Sequence, residues 1–142
     1  MTMALTELAI VDLLDGLRIL LVEDEYLIAM DVETICLEHG ALDVAIVSRL
    51  SDLDDDGLMR HIDIAILDLM LDGGSTLDFA ARLQSRGIPF IFASGHSMTD
   101  EIRIRFPRIR LVEKPYSGDD LVNALSDAGR TGSPQSTGDV IT

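Results

Sequence analysis

The sequence predicts an α/β domain built on a doubly wound parallel sheet of five strands. Two observations carry that expectation. Short β-branched runs alternate with helical patterns from residue 18 to residue 128, and the strand-like runs are almost continuously apolar. Continuous apolarity marks strands covered on both faces, and right-handed crossovers between parallel strands then place helices on both sides of the sheet.

The elements follow in order. Residues 18–22 (RILLV) read as the first strand, and residues 25–39 place Ile28, Val32, Ile35 and Cys36 at helical spacing, with Gly40 as a C-terminal cap. Residues 42–47 form the second strand; the polar, Asp-rich stretch 48–60, interrupted by Gly57, is expected as the second helix. Residues 62–67 are the third strand, and 76–86 the third helix, with Leu77, Ala80, Ala81 and Leu83 on one face and Gly87 closing it. The fourth strand covers 88–93, a short helix covers 98–105 up to Pro107, the fifth strand covers 109–112, and the last helix covers 117–128. Residues 1–16 read as an N-terminal extension, either an extra helix with Leu5, Leu8, Val11 and Leu14 at three-residue intervals or a disordered leader. Residues 17–128 hold the domain, and the Gly/Ser/Thr-rich residues 129–142 read as a disordered tail.

Composition narrows the function classes. The chain has 142 residues, 47% hydrophobic and 25% charged, as expected of one soluble globular domain. Acidic residues outnumber basic ones 25 to 11, for a formal charge of -14, so phosphate backbones and anionic lipid surfaces are repelled. Direct nucleic-acid and membrane partners are therefore not expected. No apolar run reaches the roughly 20 residues that span a bilayer. The acidic Glu7, Asp12 and Asp15 argue against a signal peptide, and the single Cys36 allows no intrachain disulfide; a cytoplasmic location is expected.

In a doubly wound sheet, ligands sit at the carboxyl ends of the strands, and four of the five strands deliver a polar residue there. The first ends in Glu23-Asp24, the third in Asp68, the fourth in Ser94 and the fifth in Lys114-Pro115. Three converging carboxylates repel one another unless a cation intervenes, and magnesium, an oxygen-seeking ion that keeps several waters, answers that need. An ionised Asp oxygen can attack phosphorus to give an acyl phosphate, while an ammonium and a hydroxyl hold other phosphoryl oxygens. No His/Cys cluster with zinc-ligand spacing is present.

In order and spacing, LRILLVEDE (17–25), AILDLML (65–71), IFASGH (91–96) and VEKPY (112–116) resemble the receiver domain of two-component response regulators. The resemblance implies a flavodoxin-like (βα)5 fold with strand order 2-1-3-4-5. It also implies Asp68 as phosphoacceptor, Asp24 as a direct ligand of Mg2+ or Mn2+, Glu23 acting through metal-bound water, and the Met70 carbonyl as a further ligand. Ser94 would be the switch hydroxyl, Gly95 its small neighbour, Lys114 the phosphate-binding lysine, and Lys114-Pro115 a cis bond. His96 would modulate water access to the acyl phosphate.

Two departures stand out. Leu111 occupies the strand-five position where receivers carry Tyr or Phe, and the loop after Asp68 reads Leu71-Asp72-Gly73-Gly74 instead of carrying a proline. PFIFASGHS (89–97) is similar to a subgroup of bacterial single-domain receivers whose motif is Phe-Ala-Thr-Gly-aromatic, with Ser94 for the Thr and His96 for the aromatic.

The resemblance thus implies a stand-alone response regulator, phosphorylated by a histidine kinase or phosphotransfer protein. It would signal to a downstream protein, or serve as a phosphate sink or relay, as a monomer or weak dimer. It would be no enzyme beyond its own phosphotransfer and autodephosphorylation. The alternative is a phosphorylation-independent interaction module on the same fold. A flavin-dependent redox protein has little support: Trp is absent, aromatics are 4%, and no Ser/Thr/Gly-rich phosphate loop follows the first strand.

Overall fold

Ile19, Leu20, Leu21 and Val22 are all buried, and successive side chains on a strand point to opposite faces, so this strand needs cover on both sides. The computed structural model, which describes residues 13–54, 56–94, 100–114 and 117–131, supplies that cover. Five strands form one parallel sheet: β1 (Arg18–Val22), β2 (Asp43–Val47), β3 (Ile64–Leu67), β4 (Phe90–Ser94) and β5 (Leu111–Glu113). Their spatial order is β2-β1-β3-β4-β5, the 2-1-3-4-5 order expected.

The pleat sorts the core into two layers. Ile19 and Leu21 of β1, Ile64 and Ile66 of β3, and Ile91 and Ala93 of β4 face helices α1 (Tyr26–Glu38) and α4 (Gly118–Thr131). Leu20, Val22, Ala65, Leu67, Phe90 and Phe92 face the opposite side, against α2 (Leu77–Ser85) and α3 (Asp100–Arg105). This is the doubly wound arrangement, with each strand's alternate residues feeding different layers. Among the described residues no helix is long and apolar enough to cross a membrane.

One element differs. The helix expected over 48–60 is instead two 3-10 helices, Leu50–Asp54 and Asp56–His61. Asp side chains compete for backbone groups and Gly57 weakens helical propagation, so the stretch settles into short, tight turns that bury Leu53 and Met59. The last helix also runs to Thr131, three residues past the expected end.

Two local features fix α1. Gly40, at φ +100°, closes it in the left-handed region, and a Cβ there would meet the Asp15 backbone at 3.0 Å. Cys36 is fully buried in the α1 layer, and burial pushes its thiol up to about 12, so it serves as a small apolar core residue. Upstream of β1, Leu14 is also fully buried; its amide donates to the His39 carbonyl, and Gly16 donates to Gly40.

Candidate functional site

β1 and β3 are neighbours with Val22 opposite Leu67, so the residues just past them, Glu23 and Asp68, emerge side by side. The Asp68 amide donates to the Val22 carbonyl at 3.0 Å, which continues the ladder by one step and aims the carboxylate off the strand end. Glu23, Asp24 and Asp68 each offer an oxygen, and these oxygens lie within 4.8 Å of one another. Glu23 and Asp68 are buried, and Asp24 is exposed.

Lys114 arrives from farther away. β5 is separated from β3 by β4, at about 4.8 Å per strand spacing, so only a long side chain reaches back. Its ammonium does so, donating to Glu23 Oε1 at 2.9 Å and to Asp68 Oδ2 at 3.1 Å. Both ion pairs are largely removed from water, with side-chain exposures of 15% for Lys114, 3% for Glu23 and 11% for Asp68. Burial pushes the Glu23 carboxyl above its ordinary value, although bonds from Lys114 and the Glu25 amide pull it back. Burial also works against the Lys114 ammonium, but its bonds to Glu23 and Asp68 outweigh that, and it titrates above the ordinary lysine value.

Three carboxylates face one ammonium, leaving the cluster about two negative charges in excess. All the donors are hard oxygens, which suits a divalent ion such as Mg2+ or Mn2+ better than a soft metal. Met70 adds a candidate ligand. It lies in a short ribbon, Met70–Leu71 against Gly74–Ser75. The Thr76 amide donates to the Leu69 carbonyl, and hydrogen-bonded and open pairs alternate along an antiparallel ladder. Met70 and Ser75 therefore form the open pair, and the Met70 carbonyl is not used by the ribbon.

Thr76 is a site residue that sequence reasoning missed. It precedes α2 and is fully buried, yet its hydroxyl makes no helix cap; it reaches back eight residues, donating to the Asp68 carbonyl at 2.5 Å and sharing with Leu69 at 3.2 Å. No local pattern announces such a contact. Replacing Thr76 by Val leaves a buried carbonyl unpaired, so Thr76→Val is expected to lower stability by about 1–3 kcal/mol, read by urea unfolding.

Of the expected site residues, Glu23, Asp24, Asp68 and Lys114 converge, with Met70 in the adjoining ribbon. Leu111 is half-buried against the layer containing Phe92, its register partner on β4. Ser94 ends β4 between Asp68 and Lys114 in the sheet, but its side chain lies outside the described atoms. Gly95, His96 and Pro115 lie outside the described residues, as do residues 1–12 and 132–142.

Neither a protein-family model nor a curated protein sequence matches the chain. Solved structures do. A non-phosphorylated HemR receiver domain from Leptospira biflexa superposes with a TM-score of 0.70 at 21% identity, over 80% of this chain and 94% of that one. A response regulator receiver protein from Sinorhizobium medicae gives 0.71 at 22% identity, over 84% and 99%. The chain has the fold of response-regulator receiver domains. The response regulator PhyR from Brucella abortus, at TM-score 0.70 and 22% identity, aligns with 99% of this chain, which spans 58% of that protein. In this chain the acidic cluster and Lys114 lie just past the ends of β1, β3 and β5.

Proposed function

We propose that this receiver domain accepts a phosphoryl group on Asp68 from the phosphohistidine of a kinase or phosphotransfer protein and passes the signal on by protein contact. The observation that carries the reading is the contact of a buried carboxylate, Asp68, with a lysine sent from two strands away, within an acidic cluster. An Asp68 oxygen attacks phosphorus, the P–N bond to the donor histidine breaks, and the imidazole leaves with the bond's electron pair. Lys114, already 3.1 Å from Asp68 Oδ2, is placed to take a phosphoryl oxygen as a point charge. A bound Mg2+ or Mn2+, held by Asp24, Asp68 and the Met70 carbonyl, with Glu23 acting through water, would offset charge on the transferring group. Apart from this phosphotransfer and the later hydrolysis of the acyl phosphate, in which water takes the phosphoryl group as inorganic phosphate and Asp68 returns as a carboxylate, the domain is not an enzyme.

Incubation with acetyl phosphate and Mg2+ is expected to give one acid-stable, base-labile phosphoryl group by mass spectrometry, lost in Asp68→Asn. Labelling that persists in Asp68→Asn overturns the assignment. A second reading, an interaction module independent of phosphorylation, draws support from Leu111, which offers no aromatic ring to reorient. Beryllofluoride titration separates the two, because only a phosphoacceptor gives a Mg2+-dependent response.

A further inference from the structure

We propose that the main-chain N–H of Asp72 is a positioning group for Asp24 and sets the affinity of the acidic cluster for a divalent cation. The inference rests on the metal-binding reading above, which it extends to residues outside the ligand set. The ribbon pairs Leu71 with Gly74, leaving a two-residue loop, Asp72-Gly73. Both loop residues are left-handed, Asp72 at φ +54° and Gly73 at φ +81°, the arrangement of a type I′ turn. In such a turn the first loop residue's N–H is not consumed by the ribbon. Here it donates to Asp24 Oδ2 at 3.0 Å.

Asp24 is exposed, and among the described residues this amide is the one hydrogen-bond donor to its carboxylate. Without that bond the side chain would sample several rotamers, and the ordering would have to come from ion binding itself. With it, one carboxylate oxygen is fixed and the other remains available. The loop is braced at its base by the Thr76 hydroxyl on the Asp68 and Leu69 carbonyls, and Gly74 sits so close to Leu50 that a Cβ there would overlap Leu50 Cδ1. One short excursion therefore governs both the Asp24 carboxylate and the Met70 carbonyl.

The test is Mn2+ titration of the full chain by calorimetry, with folding checked by thermal unfolding in chelator. Asp72→Val, whose β-branched side chain opposes φ +54°, is expected to weaken Mn2+ binding about tenfold, as loss of an outer-shell partner does. Asp72→Gly, which keeps both the turn and the N–H, is expected to bind within about twofold of the parent chain. Gly73→Val strains the same turn where nothing lies within 4 Å of the added Cβ, so it repeats the test if Asp72→Val does not fold. Parent-like affinity in the valine variants overturns the inference. So does an Asp72→Gly loss equal to that of Asp72→Val, which would assign the effect to the carboxylate. Failure of the parent chain to bind Mn2+ overturns the metal reading as well. Binding that is lost in Asp24→Asn yet untouched in the turn variants overturns the positioning role alone.

Discussion

Lys114→Ala is expected to lower the stability of the metal-free protein by about 3 kcal/mol, the lower end of the range for breaking a buried ion pair. The cost arises less from lost attraction than from what remains: Glu23 and Asp68, both mostly shielded from water, would face each other without a cation. For a domain of this size the change corresponds to a fall in Tm of roughly 10 °C. The pH dependence has a defined sign. Lys114 titrates above the ordinary lysine value in the folded state, so its contribution is fully present below that value and is lost as pH rises through the folded-state pKa. Chemical unfolding of both proteins should therefore show a constant gap from neutral pH up to about 10 that closes at higher pH. An unchanged unfolding midpoint at pH 7 in chelator would remove Lys114 from the site's electrostatics.

Phe106→Ala is expected to cost about 3–5 kcal/mol. All four phenylalanines of the chain, Phe79, Phe90, Phe92 and Phe106, lie in the same core layer. Phe90, Phe92 and Phe106 pack edge to face in a closed triangle, with ring centroids 5.6, 5.6 and 5.7 Å apart. Phe106 directly follows α3, which is only six residues long and otherwise buries Ile102, while Ile104 points outward at 78% exposure. A helix this short has little stability of its own and depends on such anchors. Hydrogen exchange over residues 100–105 should accelerate in Phe106→Ala beyond the effect of global destabilisation. A loss below about 1 kcal/mol would show that the triangle repacks around the gap.

The sheet was legible because burial on both faces writes itself into consecutive residues. Ile64, Ala65, Ile66 and Leu67 show the pattern, and the next residue, Asp68, breaks it at the strand end. Stretch 48–60 departs from the single expected helix because its Asp run and Gly57 permit one helix or two tight turns, and the choice depends on how Leu53 and Met59 pack into their core layer. The acidic cluster was readable as a set of strand-end residues, but its wiring was not. The Asp72-Gly73 dipeptide is a local hairpin signal, but nothing local points from it to Asp24, and the bond from its amide to that carboxylate spans 48 residues. Thr76 gave no signal at all, because its contact with Asp68 depends on the ribbon folding the chain back between them.

Lys114 can also be viewed as a strap. A single flexible side chain, rooted just past an outer strand, is fastened to carboxylates on two inner strands. Anything that draws the ammonium away from Asp68, or shifts the carboxylate beneath it, changes the tension on that strap. The two ends do not yield equally. β3 is flanked by β1 and β4 and buried on both faces, whereas β5 is an edge strand of three residues with a neighbour on one side only. Of the strap's two ends, the one at the far rim of the sheet is thus held by fewer neighbours than the one at Asp68.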